Sequence, residues 1–217
     1  MASAAGTIEG FSRKTAELPQ ARRIAVLVTV ILSATLYSTT VLVVATILPQ
    51  LQGAMSATPD EISWTMTFNI LATAVVTPMT GWLVARLGRR RVMVWSALAF
   101  SAATYMCGAA DSLEALVFWR VVQGAAGAPV TPLAQTIILD TFPKRQHGPV
   151  VGIYGIGVVF GAMIGPMLGG VMADLGNGRW AFSLLVPVGL IAAAGMHFAL
   201  PPSRAARHVH LDWAGFV

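Results

Sequence analysis

The sharpest chemical feature of this 217-residue chain is an arginine inside an apolar run. Arg120 falls within residues 115–139, and Gln123 and Gly124 follow one turn later on the same helical face. A charge at the middle of a bilayer costs about 2.5–3.5 kcal/mol on insertion scales, so it must face protein or water. Two roles fit. Arg120 is either a structural group paired with backbone carbonyls or a residue lining a path for a solute or a proton. Ser33, Tyr37 and Thr40 recur at i, i+4 and i+7, and Thr65, Asn69, Thr73, Thr77 and Thr80 form a second polar stripe. On neighbouring helices the two stripes would meet and line a cavity. Alternatively, the hydroxyls bond carbonyls one turn back or join helices. Tyr37 and Asn69 project furthest and are the stronger cavity candidates.

Glycine supplies a third pattern. Gly157, Gly161, Gly165 and Gly169 keep an unbroken four-residue spacing, with Pro166 and Gly170 beside them. Four residues advance a helix by about 400°, so these glycines form a shallow groove that a second backbone can enter. Pro166 removes one helical hydrogen bond and favours a kink. The groove is either a static packing surface or a sliding and bending surface between two conformations.

These residues need long helices in lipid. The chain is 56% hydrophobic and only 11% charged, with a mean hydropathy of +0.71. Soluble domains carry about 25% charged residues, so water is the wrong solvent for this surface. Six runs are long enough to cross about 30 Å of hydrocarbon: 24–48, 62–84, 92–109, 115–139, 150–173 and 180–200. They predict an all-α integral membrane bundle spanning 23–200. It is preceded by a tail at 1–22 and followed by a linker at 201–217. The first run is too long for a cleaved signal sequence.

The net charge of +5 reads as topology, not as a nucleic-acid footprint. Arg13, Lys14, Arg22 and Arg23 precede the first span. Arg86, Arg89, Arg90 and Arg91 separate the second and third. Lys144 and Arg145 separate the fourth and fifth, and Arg204 and Arg207 follow the sixth. Arg179 alone falls on the opposite side, with Asp60, Glu61, Asp111 and Glu114. The positive-inside rule then predicts both termini in the cytoplasm. Cys107 is the one cysteine, which excludes disulfides and a cysteine metal cluster. The histidines are dispersed, and no nucleophile triad, phosphate loop or cofactor fingerprint occurs, so an enzyme is not expected.

Four segments carry a family resemblance. The stretch Gly81-Trp82-Leu83-Val84-Ala85-Arg86-Leu87-Gly88-Arg89-Arg90-Arg91 resembles the signature loop between the second and third helices of the major facilitator superfamily. Arg120-Val121-Val122-Gln123-Gly124 is similar to that family's R-x-x-Q-G motif in the fourth helix. Residues 161–170 resemble its antiporter motif, G-x-x-x-G-P-x-x-G-G, in the fifth. Trp180-Ala181-Phe182 with Val186-Pro187-Val188-Gly189 resembles the start of the sixth helix in the fourteen-helix drug:proton antiporter branch, the EmrB/QacA type.

The resemblance covers about residues 36–217. It implies the N-terminal six-helix domain, built as a 3+3 inverted repeat, of a bacterial inner-membrane exporter of lipophilic or amphipathic compounds. Alternating access driven by proton entry would supply the work. Coupling would fall to Arg120, Gln123 and Gly124, and the substrate cavity to Ser33, Tyr37, Thr40, Asn69 and Thr73. Gating would fall to the loop residues Gly81, Arg86, Gly88, Arg89 and Arg90. The expected partners are the bilayer, a small substrate, and a C-terminal bundle or a second copy of the chain. Residues 211–217 look like the opening of a next helix, and a non-transporting membrane fragment remains the alternative. Three positions depart from the branch. Thr40 and Ala45 stand where an acidic residue and then an asparagine are common in the first helix, and Ala85 stands where the signature loop carries Asp. No Asp or Glu lies inside any of the six runs, so proton coupling needs a carboxylate from elsewhere or another ion.

Overall fold

The computed structural model describes residues 19–176 and 178–201. Most of the predicted tail, the linker with Arg204 and Arg207, and the predicted next helix lie outside the described residues. The described chain forms helices α1 (Gln20–Ala54), α2 (Pro59–Val76), α3 (Thr80–Leu87) and α4 (Arg89–Ala109). They are followed by α5 (Leu113–Gly127), α6 (Val130–Thr141), a 3₁₀ turn (Lys144–Gln146), α7 (His147–Asp174) and α8 (Trp180–Ala199).

Helices α1, α4, α7 and α8 are each long and apolar enough to cross a membrane, and α2 with α3 makes a fifth span bent by 56°. The fourth predicted run is divided into α5 and α6 by Ala128 and Pro129. Both breaks sit at prolines, because a proline nitrogen cannot donate to the helical ladder. At the first, Met79 N–H donates to Val76 O at 3.0 Å and Thr80 N–H to Thr77 O at 3.1 Å. These tight turn bonds carry the chain past Pro78 before α3 begins. By contrast α7 runs unbroken through Pro166, and α1 runs through Pro49. The interruptions of the helical ladder therefore fall at Pro78 and Pro129.

The pairing of helices shows how the bundle is built. The most extensive contacts join α1 to α7, α4 to α8, α2 to α5, α4 to α5 and α1 to α8. Exchange the first three spans with the last three, and α1–α7 becomes α5–α2 while α4–α5 becomes α8–α1. The α4–α8 pair maps onto itself. This is the contact pattern of two three-helix units related by a pseudo-two-fold axis in the membrane plane.

The α1–α7 seam is a glycine seam. A Cβ at Gly161 would overlap the backbone oxygen of Thr35 and lie 2.9 Å from its Cα. At Gly165 it would lie 2.9 Å from Leu42 Cβ, and at Gly169 it would lie 2.8 Å from Thr46 Cβ. Gly157 likewise admits the side chain of Ile31. Thr35 and Thr39 then donate across the seam to the carbonyls of Gly157 and Gly161, each at 2.9 Å. Gly170 is the exception within the motif, because a Cβ there meets nothing within 4 Å.

The loop ends are fastened on both sides. At the basic end Arg22 Nε donates to Ala199 O at 3.1 Å, joining the start of α1 to the end of α8. At the acidic end Thr58 and Glu61 form a reciprocal capping box on α2, and Ser112 caps α5. The Thr58 backbone N–H and hydroxyl both donate to Glu61, holding its carboxyl below the ordinary carboxylate range. This cap is complete at neutral pH and is lost as pH falls through the lowered value.

Candidate functional site: a neutral cavity beside a buried arginine

The polar residues of the apolar runs form two connected features. The first is a cavity of about 740 Å³ between α1, α2, α6 and α7. Tyr37, Asn69 and Thr73 line it, as the sequence predicts. Ser33 and Thr40 do not. Ser33 donates to Thr29 O at 2.7 Å and faces Met196 of α8, and Thr40 donates to Leu36 O at 2.7 Å. The cavity adds residues that the two stripes missed: Ser38, Thr131, Gln135 and Tyr154. Thr131 and Gln135 are themselves an i, i+4 polar pair in an apolar run, a signal of the same kind. No charged side chain lines the wall, and most of it is apolar. The lining spans, first with fourth and second with fifth, exchange under the pseudo-two-fold, so the cavity straddles the repeat axis.

The second feature lies behind Asn69. Arg120 is 1% exposed. Its Nε donates to Thr65 O at 3.3 Å, and its Nη1 donates to Gln123 Oε1. Gln123 Nε2 continues the chain to Thr104 Oγ1 on α4 at 2.7 Å. Asn69 Nδ2 donates to the Arg120 carbonyl at 2.7 Å, and Thr73 Oγ1 donates to Asn69 O at 2.9 Å and to Gly124 O at 3.1 Å. Gly124 permits this closeness, because a Cβ there would overlap the Asn69 carbonyl oxygen. Gly127, one turn on, makes room for the Tyr37 ring. The motif R-x-x-Q-G is thus a packing and hydrogen-bonding device that joins α2, α4 and α5 around one cation. Of the two roles open in the sequence, the pairing with a backbone carbonyl is present. Arg120 is not among the cavity-lining residues, but Asn69 belongs to both features.

The signature loop occupies the basic end. Gly88 has φ +86°, a conformation that favours glycine, and reverses the chain between α3 and α4. Arg89 is buried and ion-pairs with Asp140 at the end of α6. The Arg86 guanidinium lies 5.2 Å from the centre of the Trp82 ring. Gly81 faces open space, and Arg90 is half-buried.

An all-α integral membrane bundle with an internal repeat and a cavity on the repeat axis is the architecture of a transporter domain. The chain belongs to the Major Facilitator Superfamily, whose profile matches residues 28–214. It is 34% identical over 172 residues to the multidrug export protein EmrB of Haemophilus influenzae, covering 78% of this chain and 34% of that protein. It is 32% identical over 143 residues to EmrB of Escherichia coli K12, covering 66% of this chain and 28% of the relative. The chain thus spans about a third of the length of these curated relatives. The proton:xylose symporter XylE superposes with a TM-score of 0.76 at 13% identity, over 86% of this chain and 46% of that one. A bacterial homolog of the human lysosomal transporter Spinster gives a TM-score of 0.71 at 21% identity, over 91% of this chain and 47% of the homolog.

Proposed function

We propose that this chain is the N-terminal bundle of a secondary transporter that exports small lipophilic or amphipathic compounds by alternating access. The cavity between α1, α2, α6 and α7 carries the reading, because it is large enough for a drug-sized ligand and lies on the repeat axis. The multidrug export proteins among its relatives support the direction and the substrate class. In this reading a second bundle, or a second copy, supplies the opposite wall. The cavity holds no carboxylate, and Asp140 is engaged with Arg89. The proton-carrying group, on this view, belongs to the opposite wall.

The 217-residue chain expressed alone in an efflux-deficient host is therefore expected to leave accumulation of a fluorescent dye unchanged. A full-length relative should lower accumulation in the same assay. Dye efflux by the chain alone, abolished by an uncoupler, would refute the one-wall reading and favour a homodimer.

The proposed orientation places the basic end in the cytoplasm. Cysteines replacing Asp60 and Asp111 should react with an impermeant thiol reagent added outside, and cysteines replacing Arg91 and Gln146 should not. All four positions are exposed, and the native Cys107 is buried, so the background is low. Reaction of either inner site in intact cells would invert the topology.

A further inference from the structure

Part of the polar surface of the cavity wall is already engaged within the protein. Asn69 donates to the Arg120 carbonyl, and Thr73 donates to the carbonyls of Asn69 and Gly124. Gln135 of α6 differs. It lies in the fourth apolar run, lines the cavity and is exposed. Among the described residues its carboxamide has no hydrogen-bond partner. The packing of α6 fixes its direction. Leu133, Ala134, Ile137 and Ile138 turn into the apolar cluster with Val30 and Met93, which leaves Thr131 and Gln135, one turn apart, facing the cavity. A free carboxamide is costly in an apolar run and is completed by water or by a ligand. The wall narrows the ligand. It has no Asp, Glu, Lys, Arg or His, so a cation entering it finds no counter-charge. The buried Arg120 behind Asn69 disfavours a cation further. A carboxamide offers an N–H donor and a carbonyl acceptor side by side. Glutamine reads the donor–acceptor edge of adenine with this pair. An uncharged group that answers both at once carries a carbonyl and an N–H on one edge, as a lactam, an imide or a primary amide does.

We propose that Gln135 is the specificity-determining residue of this wall, pairing through its exposed carboxamide with the amide edge of an uncharged lipophilic lactam, imide or primary amide. The apolar body of that ligand lies against the rest of the wall, which includes Val41, Ile70 and Val158. This assignment rests on the reading of the cavity as a substrate site and adds the substrate class to it.

Tricycles of one shape separate the two claims. Phenanthridinone carries the amide edge, N-methylphenanthridinone has its N–H blocked, phenanthrene has neither group, and N-methylphenanthridinium is the cation. Binding of tritiated phenanthridinone to the 217-residue chain in phosphatidylcholine nanodiscs is measured, protein-free discs are subtracted, and the other three compounds serve as competitors. Wild type is expected to bind the lactam about tenfold more tightly than its N-methyl derivative, since the methyl group removes one bond and obstructs the other. The cation should not compete. Gln135→Leu should bring the lactam and its N-methyl derivative to equal affinity while its melting temperature stays the same or rises. Thr131→Val, on the same face of α6, should keep the preference. A preference retained in Gln135→Leu, lost equally in Thr131→Val, or absent from wild type would overturn the assignment and leave the cavity reading standing. Competition by the cation as strong as by the lactam would overturn the uncharged class. A Gln135→Leu variant that melts clearly lower, or fails to assemble, would show that the carboxamide is structural and would overturn the assignment too. Absence of saturable binding of both tritiated phenanthridinone and tritiated phenanthrene in wild type would remove both claims.

Discussion

Gly161→Leu is expected to abolish assembly of the bundle. Even the first atom of the new side chain would overlap the Thr35 carbonyl oxygen and sit 2.9 Å from the Thr35 Cα. Both obstacles are backbone, so no side-chain rotation relieves them. The helices would have to separate, and the bond from Thr39 Oγ1 to Gly161 O at 2.9 Å would be lost with them. Overpacking in a core costs about 1–3 kcal/mol when side chains can yield. Here they cannot, and a loss above about 4–5 kcal/mol approaches the whole stability of many domains. Gly170→Leu is the internal control, because it lies in the same motif and meets nothing within 4 Å. Val159→Leu, on an exposed face of α7, is a second. Size-exclusion profiles of fluorescent fusions should show a monodisperse peak for both controls and none for Gly161→Leu. Equal behaviour of Gly161→Leu and Gly170→Leu would remove the seam.

At Arg120 the neutral replacement is expected to be the worse one. Lysine keeps the charge, whose cost of about 2.5–3.5 kcal/mol at mid-bilayer depth the wild type already bears. The ammonium lacks the planar fork by which Nε and Nη1 reach Thr65 O and Gln123 Oε1, so one charge-assisted bond worth about 1.5–3 kcal/mol is lost. Methionine loses both bonds, about 3–6 kcal/mol, and strands the Gln123 oxygen at about 1–3 kcal/mol, against about 2.5–3.5 kcal/mol recovered by removing the charge. The net loss centres on about 3–4 kcal/mol for methionine and on about 2 kcal/mol for lysine. Thermal melting in nanodiscs should therefore rank wild type above Arg120→Lys, and Arg120→Lys above Arg120→Met. A methionine variant as stable as wild type would mean that the bonds to Thr65 and Gln123 do not hold α2 to α5.

The bilayer made much of this architecture legible in the sequence. Apolar runs of sufficient length define spans whatever their neighbours, and the glycine register of α7 survives in the structure because a missing side chain has the same meaning in any packing. The cavity lining was less legible, for a geometric reason. At about 100° per residue, Ser33, Tyr37 and Thr40 share one narrow face of α1. The cavity faces the next sector, around Ala34 and Val41. Tyr37 reaches it from the edge because its side chain is long, and the short hydroxyls of Ser33 and Thr40 turn to their own backbone. A polar stripe locates a face only to within the reach of its side chains. The breaks at Pro78 and Pro129 were hidden for another reason. Pro49, Pro166 and Pro187 lie inside continuous helices, so residue type alone does not say which proline interrupts the ladder. The role of Gly124 needed the structure as well, since what fills its missing Cβ is the backbone of Asn69, a residue of another span.

The α1–α7 seam sets an order of events during synthesis. Thr35 and its acceptor at Gly157 are 122 residues apart in the chain. At about 5–20 residues per second, the first span waits roughly 6–24 s for its main partner to leave the ribosome. Throughout that interval the seam of α1 faces lipid or an insertion factor, with Thr35 and Thr39 able to turn their hydroxyls back to carbonyls of their own helix. The nascent first span is thus most vulnerable to proteolysis and mispairing until the fifth emerges, and slowing elongation between the two should lower the yield of folded protein.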